Sequence, residues 1–302
     1  MPVWIPITIA AALFQCWRTA MQQKLRGMFS VNGAGFVRFL YGAPAALAYL
    51  AAALIGSRSG LPSASWATIG YAAAGGLCQI LATNLLIMAF GYRNFAVGTA
   101  YSKSEAAQSA IIALILLGEM LRPLAWAGIG VGLIGVLTLS LAGRGLRPRE
   151  LAAATVQPAA LCGLGAGFLF AFTTVFIKLA TGSVVASSVF VRALFVLFVT
   201  TTLQTLMQGA YLLVREPEEL RKTIRGWRSS CWVGILSASG SACWFTGFAM
   251  TDVALVRSLG QIEVIFTLAF SRFYLKERLK RGDVAGLALV ACGVLLIVIS
   301  SA

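Results

Sequence analysis

Seven ionisable side chains lie inside otherwise apolar runs: Arg18, Arg38, Lys103, Glu105, Arg192, Arg257 and Glu263. A charge in hydrocarbon is costly unless it meets a counter-ion, a wet cavity or a ligand, so these residues are where chemistry is expected. Lys103 and Glu105 are two apart, about 200° around a helix, and do not pair with each other. Ser102, Glu105 and Ser109 make one polar stripe at i, i+3 and i+7, flanked by Thr99 and Gln108, while Arg257 shares a face with Gln261 at i, i+4. Two carboxylates in such surroundings have two readings. One is a buried ion pair with Lys103 or Arg257 that holds helices together. The other, which we favour, is the handling of a ligand or a proton, because burial favours the neutral carboxyl and a nearby cation the charged one. The surplus of five cations over two carboxylates favours a ligand with a carboxylate or phosphate, which arginine grips in bidentate fashion.

Other polar side chains extend the candidate binding set. Gln15, Arg18 and Gln22 fall on one face of the first apolar run, whereas the corresponding run of the second half carries Phe168, Phe172 and Phe176. Asn84, Tyr101 and Trp244 are expected to complete these polar and aromatic walls. Arg38 and Arg192 either snorkel to the interface or stand at the mouth of a cavity. Histidine is absent, which removes imidazole triads, relays and metal ligands. The six cysteines have no metal or redox spacing and read as small packing residues. No glycine-rich phosphate loop is present. Neither an enzyme, a metal nor a cofactor is expected.

The elements that position these residues follow from composition. With 59% hydrophobic residues, 11% charged residues and a mean hydropathy of +0.86, the chain is not an ordinary soluble domain. Ten apolar runs, near 3–23, 33–55, 66–90, 95–117, 124–142, 157–179, 184–207, 231–250, 253–271 and 283–301, each approach the length that crosses a bilayer. The first lacks a positive leader and a cleavage pattern and reads as a retained helix. The second half repeats the first. Phe36-Val37-Arg38-x-Leu40 recurs as Phe190-Val191-Arg192-x-Leu194 at an offset of 154, and Glu105, Glu119, Gly128 and Gly135 recur as Glu263, Glu277, Gly286 and Gly293 at 158. An odd number of crossings per repeat inverts the halves. The expected fold is therefore all-α integral membrane: ten transmembrane helices as two inverted five-helix repeats, 1–142 and 157–302, joined by a linker at 143–156. Residues 208–230 read as a long loop carrying a short amphipathic surface helix. The pairs Gly128/Gly132 and Gly163/Gly167 are small-residue faces for close helix approach, within the monomer in preference to a dimer.

The net charge of +14 does not point to nucleic acid, because sixteen of the 24 Lys and Arg residues fall in odd-numbered connections and three in even-numbered ones. Loops rich in Lys and Arg stay cytoplasmic, which places both termini outside, with anionic headgroups as the partners of the surface charge.

Leu117-Gly118-Glu119-x-Leu121 and Leu275-Lys276-Glu277-Arg278-Leu279, each opening the last helix of a half, resemble the drug/metabolite transporter superfamily, EamA-type. The resemblance spans nearly the whole chain. It implies a central cavity lined by the first four helices of each half, and cytoplasmic termini, against the charge bias. A proline common in the fourth helix of such repeats is replaced by Ala106 and Val264. The expected function is a secondary transporter, an exporter, of a small metabolite such as an amino acid or related organic anion. It would work by alternating access, with Glu105 and Glu263 as proton carriers. The alternatives are a non-transporting membrane subunit and a flippase for an amphipathic lipid-linked molecule. The expected setting is a bacterial inner membrane, multi-pass, as a monomer or homodimer, with no nucleic acid.

Overall fold

The computed structural model describes residues 2–25, 27–58, 60–92, 101–141, 157–186, 188–266, 269 and 281–301. The linker at 143–156 and the Leu275–Leu279 element lie outside these residues. In a bilayer every backbone polar group must be satisfied within the chain, and apolar sequence there folds as helix. The helices are α1 (Trp4–Leu25), α2 (Val31–Leu40), α3 (Gly42–Ser57), α4 (Trp66–Gly91), α5 (Glu105–Leu117) and α6 (Pro123–Leu141) in the first half. The second half contributes α7 (Pro158–Gly182), α8 (Val189–Arg215), α9 (Pro217–Arg225), α10 (Trp227–Met250), α11 (Val253–Leu259) and α12 (Arg281–Ser300). Five spans among the described residues are long and apolar enough to cross a membrane: Val31–Ser57, Trp66–Ala89, Pro158–Gly182, Val189–Arg215 and Trp227–Met250. The chain is an all-α membrane protein.

Four expected runs are corrected. The run 33–55 is divided at Tyr41 into α2 and α3. The run 184–207 continues as helix to Arg215, so only 216–226 remains to turn the chain, and α9 is the surface helix expected there. The fourth and ninth runs are not continuous helices. The fourth is interrupted by a turn at Lys103–Ser104, and the ninth by a 3-10 turn at Gly260–Ile262. Ser102 therefore precedes the break and does not share one helix with Glu105 and Ser109. One small non-helical element was not anticipated: β1 (Ser63–Ala64) pairs antiparallel with β2 (Val184–Val185).

The chain forms two compact units, each drawn from both halves: Met1–Ile80 with Thr173–Thr251, and Leu81–Phe172 with Asp252–Ala302. In the first unit α1 packs along α10, and Leu25, Val37 and Val233 form a core with Met21, Phe29 and Tyr41. One end is tied by carboxylates. Glu216 accepts from Ser30 Oγ (2.8 Å) and Asn32 Nδ2 (2.6 Å), and Glu219 accepts from the Ser30 backbone N–H (2.7 Å). The other end is tied by the two-stranded ribbon and a Thr68–Ser183 hydroxyl pair at 2.7 Å.

In the second unit α6 and α12 approach through glycines. A Cβ on Gly128 would meet Gly293 O at 2.9 Å, and one on Gly135 would meet Val290 N at 2.6 Å and Gly286 O at 3.0 Å. Gly128 and Gly135 correspond to Gly286 and Gly293 at the repeat offset, so the contact is self-complementary, as a two-fold interface requires. The Gly128/Gly132 face thus serves packing within the chain.

Candidate functional site

Each helix break combines a local feature of its own sequence with room made by a glycine of a neighbouring helix. At the first, Ser104 Oγ donates to Tyr101 O (2.6 Å) and Gln108 Nε2 donates to Ser104 Oγ (2.7 Å). Such side-chain bonds offer the backbone an alternative to the helical ladder. Gly167 of α7 lets this irregular segment lie close, since a Cβ there would be 3.1 Å from Ser102 O and 3.3 Å from Glu105 N. At the second break Gly260, a poor helix former, opens the 3-10 turn. A Cβ on Gly132 would fall on Gln261 Oε1, so only glycine at that point of α6 admits the Gln261 side chain.

Just beyond each break stands a glutamate, and each glutamate binds a cation from the opposite half of the sequence. Lys103 Nζ lies 2.9 Å from Glu263 Oε2, and Arg257 Nε lies 3.0 Å from Glu105 Oε1. The side chains are largely buried, from 10% exposed at Glu263 to 26% at Lys103. Lys103 and Glu105 do not pair with each other, as their spacing predicts. The carboxylates repeat at offset 158 but the cations do not: Lys103 corresponds to Gln261, and Arg257 to Thr99. On the same elements Ser109 Oγ, Ser258 Oγ and Gln261 Nε2 are buried and find no hydrogen-bond partner among the described residues. Groups of this kind are costly in a dry interior and ordinarily bind water.

The remaining predicted residues fall as follows. In the first unit Arg38 is 6% exposed, with its Nε donating to Ser237 Oγ at 2.7 Å and its guanidinium 5.5 Å from the centre of the Phe39 ring. Gln15 Oε1 accepts from Trp244 Nε1 at 3.1 Å, and Trp244 stacks on Phe248 at 6.0 Å. The polar face of α1 is thus joined by an aromatic side chain of α10. Arg18 is buried one turn along α1 and reaches Thr19 Oγ1 at 3.4 Å. Arg192 is half-buried near the start of α8, with a buried Nε that meets no acceptor among the described residues. In the second unit Asn84 and Tyr101 are half-buried on α4 and just before the first break, and Gln261 is buried. Phe168 and Phe172 meet edge-to-face at 5.0 Å, also in the second unit, whereas Phe176 lies against Gly75 in the first.

Three features escaped the sequence reading. Ser237 is the hydroxyl that receives Arg38, and Ser237, Ser239 and Ser241 at alternate positions of an apolar helix were the available signal. Glu216 and Glu219 bind the start of α2, yet read only as part of a surface helix. Glu119 accepts a backbone hydrogen bond from Val253 at 2.9 Å.

Discontinuous helices are an arrangement found in membrane carriers. Residues 157–299 match the EamA-like transporter family. The match falls in the second half of the chain, which is similar to the transporters of that family. A crystal structure described only as that of a "protein" resembles the chain with a TM-score of 0.71 and 17% identity, covering 97% of this chain and 98% of that one. This likeness concerns the fold alone. No curated protein matches the chain.

Proposed function

We propose that this EamA-like chain is a proton-coupled secondary transporter that exports a small organic anion or amino acid by alternating access across a bacterial inner membrane. The observation that carries the reading is the crossed pair of ion pairs at the two helix breaks. A purely structural clamp would close its hydrogen bonds, whereas here buried Ser109, Ser258 and Gln261 have polar atoms without partners among the described residues on the same elements. That surrounding suits water beside a carboxylate, and so a proton route. Glu105 and Glu263 are the proton carriers, and Lys103 and Arg257 are the counter-charges released when one of them is protonated.

Anion recognition falls to the arginines of the first unit. Arg38 is buried in that unit, with its Nε donating to Ser237 Oγ and its guanidinium beside the Phe39 ring, and a guanidinium is suited to grip a carboxylate. Gln15, Arg18, Arg192 and Trp244 complete the proposed binding set of that unit.

Glu105→Gln keeps shape and polarity but removes the titration. In proteoliposomes with an imposed pH gradient it is expected to abolish accumulation of an amino-acid or organic-anion probe while sparing downhill exchange. Normal uphill transport by both Glu105→Gln and Glu263→Gln would overturn the coupling.

A further inference from the structure

We propose that Glu119 is a positioning residue that sets the axial register of α11 and thereby seats Arg257 on Glu105. Helix α11 has only seven residues, from Val253 to Leu259, and runs straight into the 3-10 turn. A helix that short has little cooperativity of its own, and its first N–H groups lack intrahelical acceptors. Its N-cap residue, Asp252, makes no side-chain capping bond. Glu119 supplies one from outside, with Oε2 accepting from Val253 N at 2.9 Å in a site where Glu119 is 9% exposed.

Chain geometry at the end of α5 delivers that carboxylate. Gly118 caps α5 in the left-handed conformation (φ 68°), which bends the chain so that the next residue leaves the helix axis. The two ends of α5 therefore make two attachments to the same segment. Glu105 in its first turn holds Arg257, and Glu119 just past its cap holds the start of α11. Between them Ala110, Ala254, Ile129 and Ile297 form an apolar cluster of small and branched side chains. Such a surface resists separation but specifies axial position weakly. A slip of one turn would displace Arg257 by about 5.4 Å, beyond reach of a 3.0 Å contact. The directional bond from Val253 N to Glu119 specifies that position.

The functional consequence rests on the reading of Glu105 as a proton carrier, but the register can be measured without transport. The probe is dicyclohexylcarbodiimide, which modifies protonated carboxyl groups in apolar surroundings. Modification of the Glu105 peptide is followed by mass spectrometry in the full-length protein at neutral pH. Arg257→Ala is expected to raise Glu105 modification about tenfold or more, because a cation beside a carboxyl lowers its pKa by about one unit or more and each unit is tenfold. Glu119→Ala is expected to raise it to a similar level, and Glu119→Gln, which keeps an acceptor oxygen, to leave it near the unaltered value.

Val253→Pro tests the same bond from the donor side. Proline is well tolerated at the first helical position, and Asp252 already has the extended backbone that precedes proline (φ −62°, ψ 137°), so this variant deletes the N–H without opposing the helix. It too is expected to raise Glu105 modification. High modification in Arg257→Ala with unchanged values in Glu119→Ala and Val253→Pro overturns the positioning role alone. Unchanged values in all three overturn it together with the ion pair on which it rests.

Discussion

The two compact units treat charge within their helices in opposite ways. In the second, Lys103 meets Glu263 and Arg257 meets Glu105, so these four charges cancel. In the first, the acidic residues are Glu216, Glu218 and Glu219, all past the end of α8, where they bind the start of α2 or the neighbouring Arg221 and Lys222. Arg38 in the same unit is held by a hydroxyl and a ring. The sequence repeat placed a glutamate after the fourth-helix break of each half, yet both glutamates belong to one unit. Under the proposed function, the crossed ion pairs of the second unit handle protons and the arginines of the first handle the anionic substrate.

The largest expected effect breaks the balanced unit. Arg257→Ala strands Glu105 and is expected to destabilise the protein by roughly 3–5 kcal/mol, read as thermal unfolding in detergent. Adding Glu105→Gln is expected to recover much of that loss. Failure of the second change to rescue would show that the two residues do not act as a pair.

In the cationic unit, Arg38→Ala is expected to weaken anion binding by about 1.5–3 kcal/mol, tenfold or more in Kd, measured by calorimetry with a carboxylate probe. Thermal stability is expected to change far less. An equal loss of stability and binding would make Arg38 a structural residue and remove the contrast between the units.

A smaller effect concerns the close crossing of α6 and α12. Gly135→Ala places a methyl group 2.6 Å from Val290 N and 2.8 Å from Leu289 Cβ, and is expected to cost about 1–3 kcal/mol in thermal unfolding. Gly130, with open space where its Cβ would be, is the control for which little change is expected.

The smallest effect is at the carboxylate tie of the first unit. Burial pushes the Glu219 carboxyl up, but hydrogen bonds from Lys222 and from the Ser30 backbone outweigh it and hold the group below the ordinary carboxylate range. Its contribution is therefore complete above the unfolded value, near 4.3, and is lost as pH falls through the lower folded value. Glu219→Gln is expected to cost less than about 1 kcal/mol at neutral pH, and to flatten the pH dependence of amide exchange at the start of α2 in acid. The ribbon at the other end of the unit contains no ionisable side chain and should show no such dependence.

Much of this molecule was legible from residue types. The lengths of the apolar runs gave the helical membrane fold, because hydrocarbon leaves the backbone few alternatives. The offsets of 154 and 158 exposed the repeat, and the rarity of charge in such runs singled out Lys103, Glu105, Arg257 and Glu263. The spacing of Lys103 and Glu105 also excluded their pairing with each other. Tertiary structure alone decided which cation meets which carboxylate, since 160 and 152 residues separate the partners and no local periodicity carries across such a distance. It also decided where the helices break. Ser104 and Gly260 are compatible with a continued helix, and become interruptions because Gly167 and Gly132 leave room for the irregular backbone and for Gln261. The role of Glu119 was hidden for the same reason. Its acceptor oxygen acquires meaning only when the fold brings the unsatisfied N–H of Val253 to it.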